Sequence, residues 1–146
     1  MTTVGRWMTR NPFTIGPKAT VIEAIHLMKE KNVRRLPVMD GERILGILTE
    51  KMVADFKPSR ATSLDTWELH YLLSTTPVTA AMNPNPYKVT EGTDLTDAAQ
   101  LLHDRKLNGV LVVDAGDRLV GILTMTNALE ALIAICRDPT VCRNGA

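Results

Sequence analysis

The chain has 146 residues, a formal net charge of +1 and 45% hydrophobic residues, so it can form one compact domain or two small half-domains sharing a core. The near-neutral charge excludes a global field that would recruit nucleic acid or an acidic membrane. No apolar run approaches the roughly 20 residues of a membrane span, and no apolar signal core follows the N-terminus. We therefore expect a cytoplasmic protein with neither nucleic acid nor membrane as a partner.

In chain order, each half opens with a methionine that is soon followed by an Asn-Pro pair, in residues 8–12 and again in residues 82–86. Proline breaks a preceding helix and disfavours helical conformation in the residue before it. The two segments therefore predict an extended chain, and a short strand is expected to follow each of them, over residues 13–15 and 87–89.

A helix is predicted after each of these strands. Thr20 can cap the first helix, and Glu23 three residues later completes a capping-box pattern; Asp94 and Asp97 stand at the same places in the second half. The apolar positions then recur at helical spacing in both halves. They are Val21, Ala24, Ile25 and Met28 in the first half and Leu95, Ala98, Ala99 and Leu102 in the second.

Two short apolar strands are predicted after each helix, joined by a polar turn that indicates a hairpin. Because these strands are apolar nearly throughout, both of their faces are expected to be covered. Thr49 and Thr124 end the last strand of each half and can cap a second helix. The predicted strands span residues 36–39, 44–48, 110–113 and 119–123.

The order strand, helix, strand, strand, helix thus occurs twice. Met8 and Met82 are 74 positions apart, and Thr49 and Thr124 are 75 apart. Such a repeat predicts an α+β fold in which two β-α-β-β-α units pack as a pseudo-twofold pair. The predicted segments are repeat 1 over 4–56, a linker with a short helix over 57–77, repeat 2 over 78–136 and a C-terminal tail over 137–146. A loop is expected at 57–60, and Trp67 is expected to anchor the linker helix.

Residue types that carry catalysis are sparse. His26, His70 and His103 are scattered, and none has a cysteine, serine or paired carboxylate at a recognisable spacing. The sequence has no phosphate-binding glycine loop and no zinc motif. Cys136 and Cys142 fit free thiols or tail residues. We therefore predict that the chain is not an enzyme, that it has no catalytic residues or metal site, and that it requires no cofactor.

The double pattern resembles a tandem pair of cystathionine-β-synthase (CBS) domains, or Bateman module. The resemblance covers about residues 4–135, and the linker over 61–73 is similar to that of bacterial acetoin-utilisation-type CBS proteins, of which this chain would be a shorter relative or a part. The residues that carry it are 33–40 with 46–49, and 107–114 with 121–124. The resemblance implies a regulatory module that senses an adenine-type nucleotide (AMP, ADP, ATP or S-adenosylmethionine) in the cleft between the repeats. It also implies a homodimer formed through the CBS helices, and a regulated enzyme, transporter or appended domain as partner.

The resemblance places the nucleotide where a strand meets a helix, at Thr49 and Thr124. In the family, an aspartate three residues later accepts hydrogen bonds from the ribose hydroxyls, whereas this chain has Met52 and Asn127 there. A thioether cannot replace the carboxylate, but the Asn127 carbonyl oxygen can still accept a hydrogen bond. The site at Thr49 is therefore expected to be inactive toward nucleotides, and the site at Thr124 is expected to remain.

Two arginines strengthen the expected site. By the resemblance, Arg34 and Arg35 would face the phosphates of a nucleotide at Thr124 and Asn127, because a guanidinium matches phosphate oxygens. The apolar wall of an adenine slot would come from Val89, Val110 and Val112, or from their counterparts Ile15, Leu36 and Val38.

Two alternatives stay open. The arginines can be solvated surface charges, with Thr124 and Asn127 only capping a helix. Functionally, the chain can also be a ligand-free dimerisation module, because its helix stripes and the last helix over 128–135 carry more apolar surface than one small core needs.

Overall fold

The structure is a computed structural model that describes residues 2–56, 65–138 and 140, and its mixed α and β architecture confirms the predicted class. Among these residues, no helix is both long enough and apolar enough to cross a membrane. The elements are α1 (Val4–Trp7), β1 (Thr9–Arg10), α2 (Val21–Lys31), β2 (Arg35–Asp40), β3 (Arg43–Thr49), α3 (Glu50–Asp55), α4 (Thr66–Thr75), a 3₁₀ helix (Val78–Ala80), β4 (Lys88–Thr90), α5 (Leu95–Asp104), β5 (Gly109–Val113), β6 (Leu119–Thr124) and α6 (Met125–Arg137).

The chain divides into two compact units. Phe13–Pro86 form one, which we call the repeat-1 unit; Met1–Pro12 together with Tyr87–Ala146 form the other, the repeat-2 unit. The segment before residue 13 therefore belongs to the repeat-2 unit, and residues 78–86 belong to the repeat-1 unit. Each predicted repeat thus contributes its opening segment to the unit built mainly from the other repeat.

The repeat-2 unit is built on a four-stranded sheet with the order β1-β6-β5-β4. The strands β5 and β6 form the predicted antiparallel hairpin, β4 runs parallel to β5, and β1 runs antiparallel to β6. Apolar side chains from this sheet, α1, α5 and α6 form the core. Its buried members are Val4, Met8, Leu95, Ala98, Leu102, Val110, Val112, Leu123 and Ala131.

The repeat-1 unit has the same arrangement, but single bridged residues stand where the repeat-2 unit has its edge strands. The strands β2 and β3 form the second predicted hairpin. Ile15 makes a single parallel bridge to Val38, and Asn83 makes a single antiparallel bridge to Ile47, at the places that β4 and β1 occupy in the other unit. The strand predicted over residues 13–15 is therefore one bridged residue. The buried core members are Ile15, Ala24, Met28, Leu36, Val38, Leu48 and Val78.

The first helix of each repeat begins at the predicted cap. The Thr20 hydroxyl accepts a hydrogen bond from the Glu23 backbone N–H at 3.3 Å, and the Glu23 carboxylate accepts one from the Thr20 N–H at 3.4 Å, which confirms the capping box. In α5, the Asp94 carboxylate accepts a hydrogen bond from the Thr96 N–H at 3.0 Å. These local bonds satisfy N–H groups that a helix start otherwise leaves without partners.

The linker helix is present as α4, but the role predicted for Trp67 is wrong. The Trp67 ring is 82% exposed. The helix packs against α2 and turns a different face inward, along which Leu69, Leu72 and Leu73 are half-buried. The helix buries the side on which these leucines recur, and the single aromatic ring on the other side stays exposed. The loop expected at 57–60 lies outside the described residues.

A close crossing of two backbones occurs at one glycine in each unit. A Cβ atom added to Gly46 would lie 2.5 Å from the Asn83 carbonyl oxygen and 2.8 Å from the Met82 sulfur. In the repeat-2 unit, a Cβ atom on Gly121 would lie 2.7 Å from the Thr9 carbonyl oxygen. Only a residue without a side chain fits beneath these opening segments.

We predict that Gly46→Ala and Gly121→Ala each lower the free energy of unfolding by about 1–3 kcal/mol, because the added methyl group overlaps backbone atoms that cannot move without breaking strand pairing. Urea unfolding followed by circular dichroism measures the change. Gly92→Ala is the matched control, since nothing lies within 4 Å of its added Cβ. Two glycine variants as stable as this control would contradict the close crossing.

Candidate functional site

The first turn of α6 is closed by a reciprocal cap. Thr124 ends β6 and is the N-cap residue of the helix. Its hydroxyl oxygen accepts a hydrogen bond from the Asn127 N–H at 3.2 Å. In return, the Asn127 carbonyl oxygen Oδ1 accepts one from the Thr124 N–H at 2.9 Å and one from the Thr124 hydroxyl at 3.0 Å. The spacing of three residues places the amide side chain over the helix start.

The orientation of the Asn127 amide follows from its backbone partner. A backbone N–H can only donate, so the side-chain atom 2.9 Å from the Thr124 nitrogen must be an oxygen. Asn127 is 8% exposed, and its oxygen already accepts two hydrogen bonds, which fills the two lone pairs of a carbonyl. For this oxygen to accept a ribose hydroxyl, as the sequence predicts, it would have to give up one of its bonds to Thr124.

The equivalent helix start in the repeat-1 unit is simpler. The Thr49 hydroxyl accepts a hydrogen bond from the Met52 N–H at 3.1 Å, and Met52 offers no polar atom in return beyond its weakly accepting sulfur. The Met52 side chain instead packs, partly buried, against the core of its own unit. The helix α3 that follows has six residues, against thirteen in α6.

Arg34 lies beside this helix start and is exposed. Its carbonyl oxygen accepts a hydrogen bond from the Glu50 N–H at 2.8 Å. Its guanidinium Nε lies 3.9 Å from the Glu50 carboxylate, with the two side chains 84% and 69% exposed. Such a solvent-exposed pair contributes about 0–1 kcal/mol. The sequence did not predict this contact, because it depends on the pairing of β2 with β3 and not on local spacing.

Arg35 has a different environment. It is half-buried at the start of β2, opposite Thr49 in the hairpin. Desolvation by burial, together with the positive charge of neighbouring Arg34, lowers the pKa of Arg35 from its usual value. In the described part of the chain, no carboxylate lies within 4.0 Å of its nitrogens. A partly desolvated guanidinium without a counter-ion is suited to bind an anion.

The residues predicted to form an apolar wall are core residues of their units. Val110 and Val112 are at most 1% exposed, and Val89 is partly buried against the repeat-2 core. Their counterparts Ile15, Leu36 and Val38 are buried together in the repeat-1 core. A role in lining an adenine slot stays a prediction.

The three histidines are surface residues. His26, His70 and His103 are exposed, and the His103 ring nitrogen Nδ1 lies 3.1 Å from the Asp104 carboxylate. Hydrogen bonds from His103 and then from Gln100 lower the pKa of Asp104, which is exposed. No group of three or more metal-binding side chains occurs within the described ranges.

Comparison with known proteins identifies the family. The family model described as the CBS domain matches residues 4–58 and 78–134. The chain belongs to the CBS domain family. The two matches confirm the tandem CBS pair that the repeated pattern predicts.

Three relatives illustrate where CBS pairs occur. The chloroplastic CBSX2 of Arabidopsis thaliana is 35% identical over 93% of this chain, which spans 66% of that protein's length. A crystal structure of CBSX2 in complex with AMP has a TM-score of 0.76 and covers 94% of this chain and 100% of that one. AcuB of Vibrio cholerae, whose name assigns it to acetoin utilization, has a TM-score of 0.77 at 26% identity, with 94% of each chain covered. Inosine-5′-monophosphate dehydrogenase of Rhizobium tropici is 33% identical over 81% of this chain, but only 21% of that enzyme is covered.

The cytoplasmic location expected from the sequence stays a prediction.

We predict that Asn127→Ala lowers the free energy of unfolding by about 1–2 kcal/mol, because it removes the acceptor of the Thr124 N–H at the start of α6. Asn127→Asp keeps an oxygen at that place and should stay close to the wild-type stability. Urea unfolding of the two variants measures the difference. Thr126→Ala, an exposed change in the same turn, is the control. An Asn127→Ala protein as stable as this control would show that the cap contributes nothing.

Proposed function

We propose that this chain is a regulatory CBS pair that senses an adenine-type nucleotide: AMP, ADP, ATP or S-adenosylmethionine. The observation that carries the proposal is the likeness to CBSX2, which extends over 94% of this chain. The CBSX2 crystal structure that shows this likeness is a complex with AMP. No catalytic step is proposed for the module itself. Its output is a change in a partner that follows nucleotide occupancy.

The charge at Arg34 and Arg35 supports the phosphate part of this proposal. Arg35 is half-buried and lacks a carboxylate partner among the described residues, so a phosphate group would supply the missing counter-ion. The Arg34 guanidinium meets the Glu50 carboxylate only in an exposed pair at 3.9 Å, which a phosphate can replace at little cost.

The start of α6 supports the same ligand class. Thr124 and Asn127 lie at the N-terminus of a thirteen-residue helix, whose dipole and first N–H groups favour negatively charged ligand groups. Thr49 and Met52 offer fewer polar groups to a ligand, because Met52 is an apolar residue packed against the core. We therefore propose Thr124 and Asn127 as the ligand contacts of the repeat-2 unit, with the valines Val89, Val110 and Val112 as candidates for its apolar wall. Arg34 and Arg35 are the proposed phosphate contacts of the repeat-1 unit.

The partner is inferred from where such modules occur. The dehydrogenase of Rhizobium tropici carries a segment like this chain within a protein of which that segment covers 21%. We infer that the module here likewise acts on an enzyme, a transporter or an appended domain, and passes nucleotide binding on to it.

We predict that Arg35→Gln weakens the binding of AMP and ATP about tenfold or more, because a charge-assisted hydrogen bond is worth about 1.5–3 kcal/mol and each 1.4 kcal/mol is tenfold in affinity. Isothermal titration calorimetry on the whole chain measures this. Arg43→Gln is the matched control, since Arg43 is an exposed arginine at the other end of the same hairpin.

The single variant Asn127→Ala is titrated with the same nucleotides, because Asn127 is the proposed contact in the repeat-2 unit. Absence of binding at millimolar nucleotide, or binding unaffected by both single changes, would overturn the nucleotide-sensing proposal.

A second candidate function is assembly without a ligand, and one observation favours it. Asn127 and Ala131 lie on the buried face of α6, while an apolar stripe on the opposite face is about half exposed. The stripe consists of Met125, Leu129, Leu132 and Ile133. We infer that a second copy of the chain covers it, because one helix can pair with its own twofold mate to make a homodimer.

We predict that Leu132→Glu converts a homodimer into a monomer at micromolar concentration, because a carboxylate would be buried without a partner. Light scattering measures the mass. Thr96→Glu is the control, since it adds the same charge at an exposed position in the first turn of α5. A wild-type chain that is already monomeric would exclude the assembly function. A dimer that persists in the Leu132→Glu variant would exclude this interface.

A further inference from the structure

The side chain of Asn127 presents a donor to its surroundings. Its oxygen is occupied by the Thr124 N–H and hydroxyl, so the group that remains is the amide nitrogen with two N–H bonds. Within the described residues, this nitrogen has no hydrogen-bond partner. It is also not sealed inside the protein, because no buried side-chain nitrogen or oxygen in this part of the chain lacks a partner. The nitrogen therefore reaches the surface of an otherwise buried side chain.

The neighbouring hydroxyl is committed as well. Thr124 gives its proton to the Asn127 oxygen and accepts the Asn127 N–H, which leaves no proton for a ligand and one remaining lone pair. The first backbone N–H of the helix, from Met125, is bonded to the Asn108 carbonyl oxygen at 2.9 Å. The polar groups left for a ligand are thus mainly donors.

A donor-rich surface discriminates between ligand groups. The two neighbouring ribose hydroxyls can accept hydrogen bonds there, but only the one remaining lone pair of the Thr124 hydroxyl is left for their two protons. An unpaired polar proton is costly when it is desolvated. The oxygens of a phosphate only accept, and the positive end of the α6 dipole favours their charge. The same place would suit free ribose hydroxyls if a carboxylate oxygen stood where the Asn127 nitrogen stands.

We propose that Asn127 makes the start of α6 a subsite for an anionic phosphate oxygen and disfavours free ribose hydroxyls there. The proposal rests on the nucleotide-sensing function and specifies its ligand class. The chain would prefer an adenine nucleotide that carries a phosphate beyond the single 5′-phosphate of AMP. This phosphate can come from an esterified ribose hydroxyl or from a longer 5′-phosphate chain, which share the same chemistry.

Calorimetry with four ligands tests the subsite: AMP, ATP, adenosine 2′,5′-bisphosphate and adenosine 3′,5′-bisphosphate. For the wild-type chain we expect at least one ligand with an additional phosphate to bind about tenfold tighter than AMP, which is the effect of one charge-assisted hydrogen bond. The ligand that shows this preference identifies the source of the phosphate.

The variant Asn127→Asp separates this subsite from a merely structural role. A carboxylate can accept the same Thr124 N–H, and an acidic residue is favoured in the first turn of a helix, so the fold should be kept. Its second oxygen, however, would repel a phosphate and accept a ribose hydroxyl. We expect the preference for the additional phosphate to fall about tenfold or more, with AMP bound at least as tightly as before. Met52→Leu, at the equivalent position of α3, is the control and should leave the preference unchanged.

The outcomes are distinguishable. If AMP binds the wild-type chain as tightly as the other ligands, or if Asn127→Asp leaves the preference unchanged, the subsite is wrong while nucleotide sensing stands. If none of the four ligands binds at millimolar concentration, nucleotide sensing and the subsite fail together.

Discussion

Each unit of this fold depends on a crossing of two backbones that glycine alone permits. At Gly46 and Gly121, a segment from elsewhere in the chain passes so close to a central strand that no side chain fits between them. The crossing lets β1 pair with β6 and lets Asn83 form a bridge to Ile47 in β3. The outer edge of each hairpin is therefore paired at the crossing. Because these opening segments come from the other repeat, each unit contains residues of both repeats.

The duplication preserves this framework and changes the helix that follows it. Thr49 and Thr124 cap their helices through the same hydroxyl contact. Only Asn127 returns the contact, whereas Met52 turns an apolar side chain toward the core. The reciprocal cap precedes a helix of thirteen residues and the one-sided cap a helix of six. The two units therefore share their packing but differ in the polar groups that they can offer to a ligand.

Local pattern made most of the fold predictable, because helix spacing, capping boxes and hairpin turns depend on neighbouring residues. The opening segment could not be placed in this way. The Val4 N–H donates to the Thr93 carbonyl oxygen and the Gly5 N–H to the Glu91 carbonyl oxygen, both at 2.9 Å, and no local signal announces contacts between residues so far apart in sequence. The anchoring role of Trp67 failed for a related reason, since burial is decided by the whole helix face and not by one large ring.

The cap at the start of α6 was predictable from the sequence, whereas the electrostatics of the candidate site residues were not. Their role in binding a ligand stays a prediction. A spacing of three residues predicts that the residue at position 127 lies over the helix cap. Only the structure shows that the Asn127 amide oxygen is already hydrogen-bonded to Thr124, so that the amide nitrogen is the group that remains for a ligand. The desolvation of Arg35 likewise depends on tertiary burial. Each unit thus carries a positive guanidinium or a donor nitrogen without an acceptor among the described residues. Neither group is sealed away from the surface, so each can donate a hydrogen bond to a ligand oxygen. Under the proposed function, both groups would donate to the phosphate oxygens of a nucleotide, which accept hydrogen bonds and carry the opposite charge.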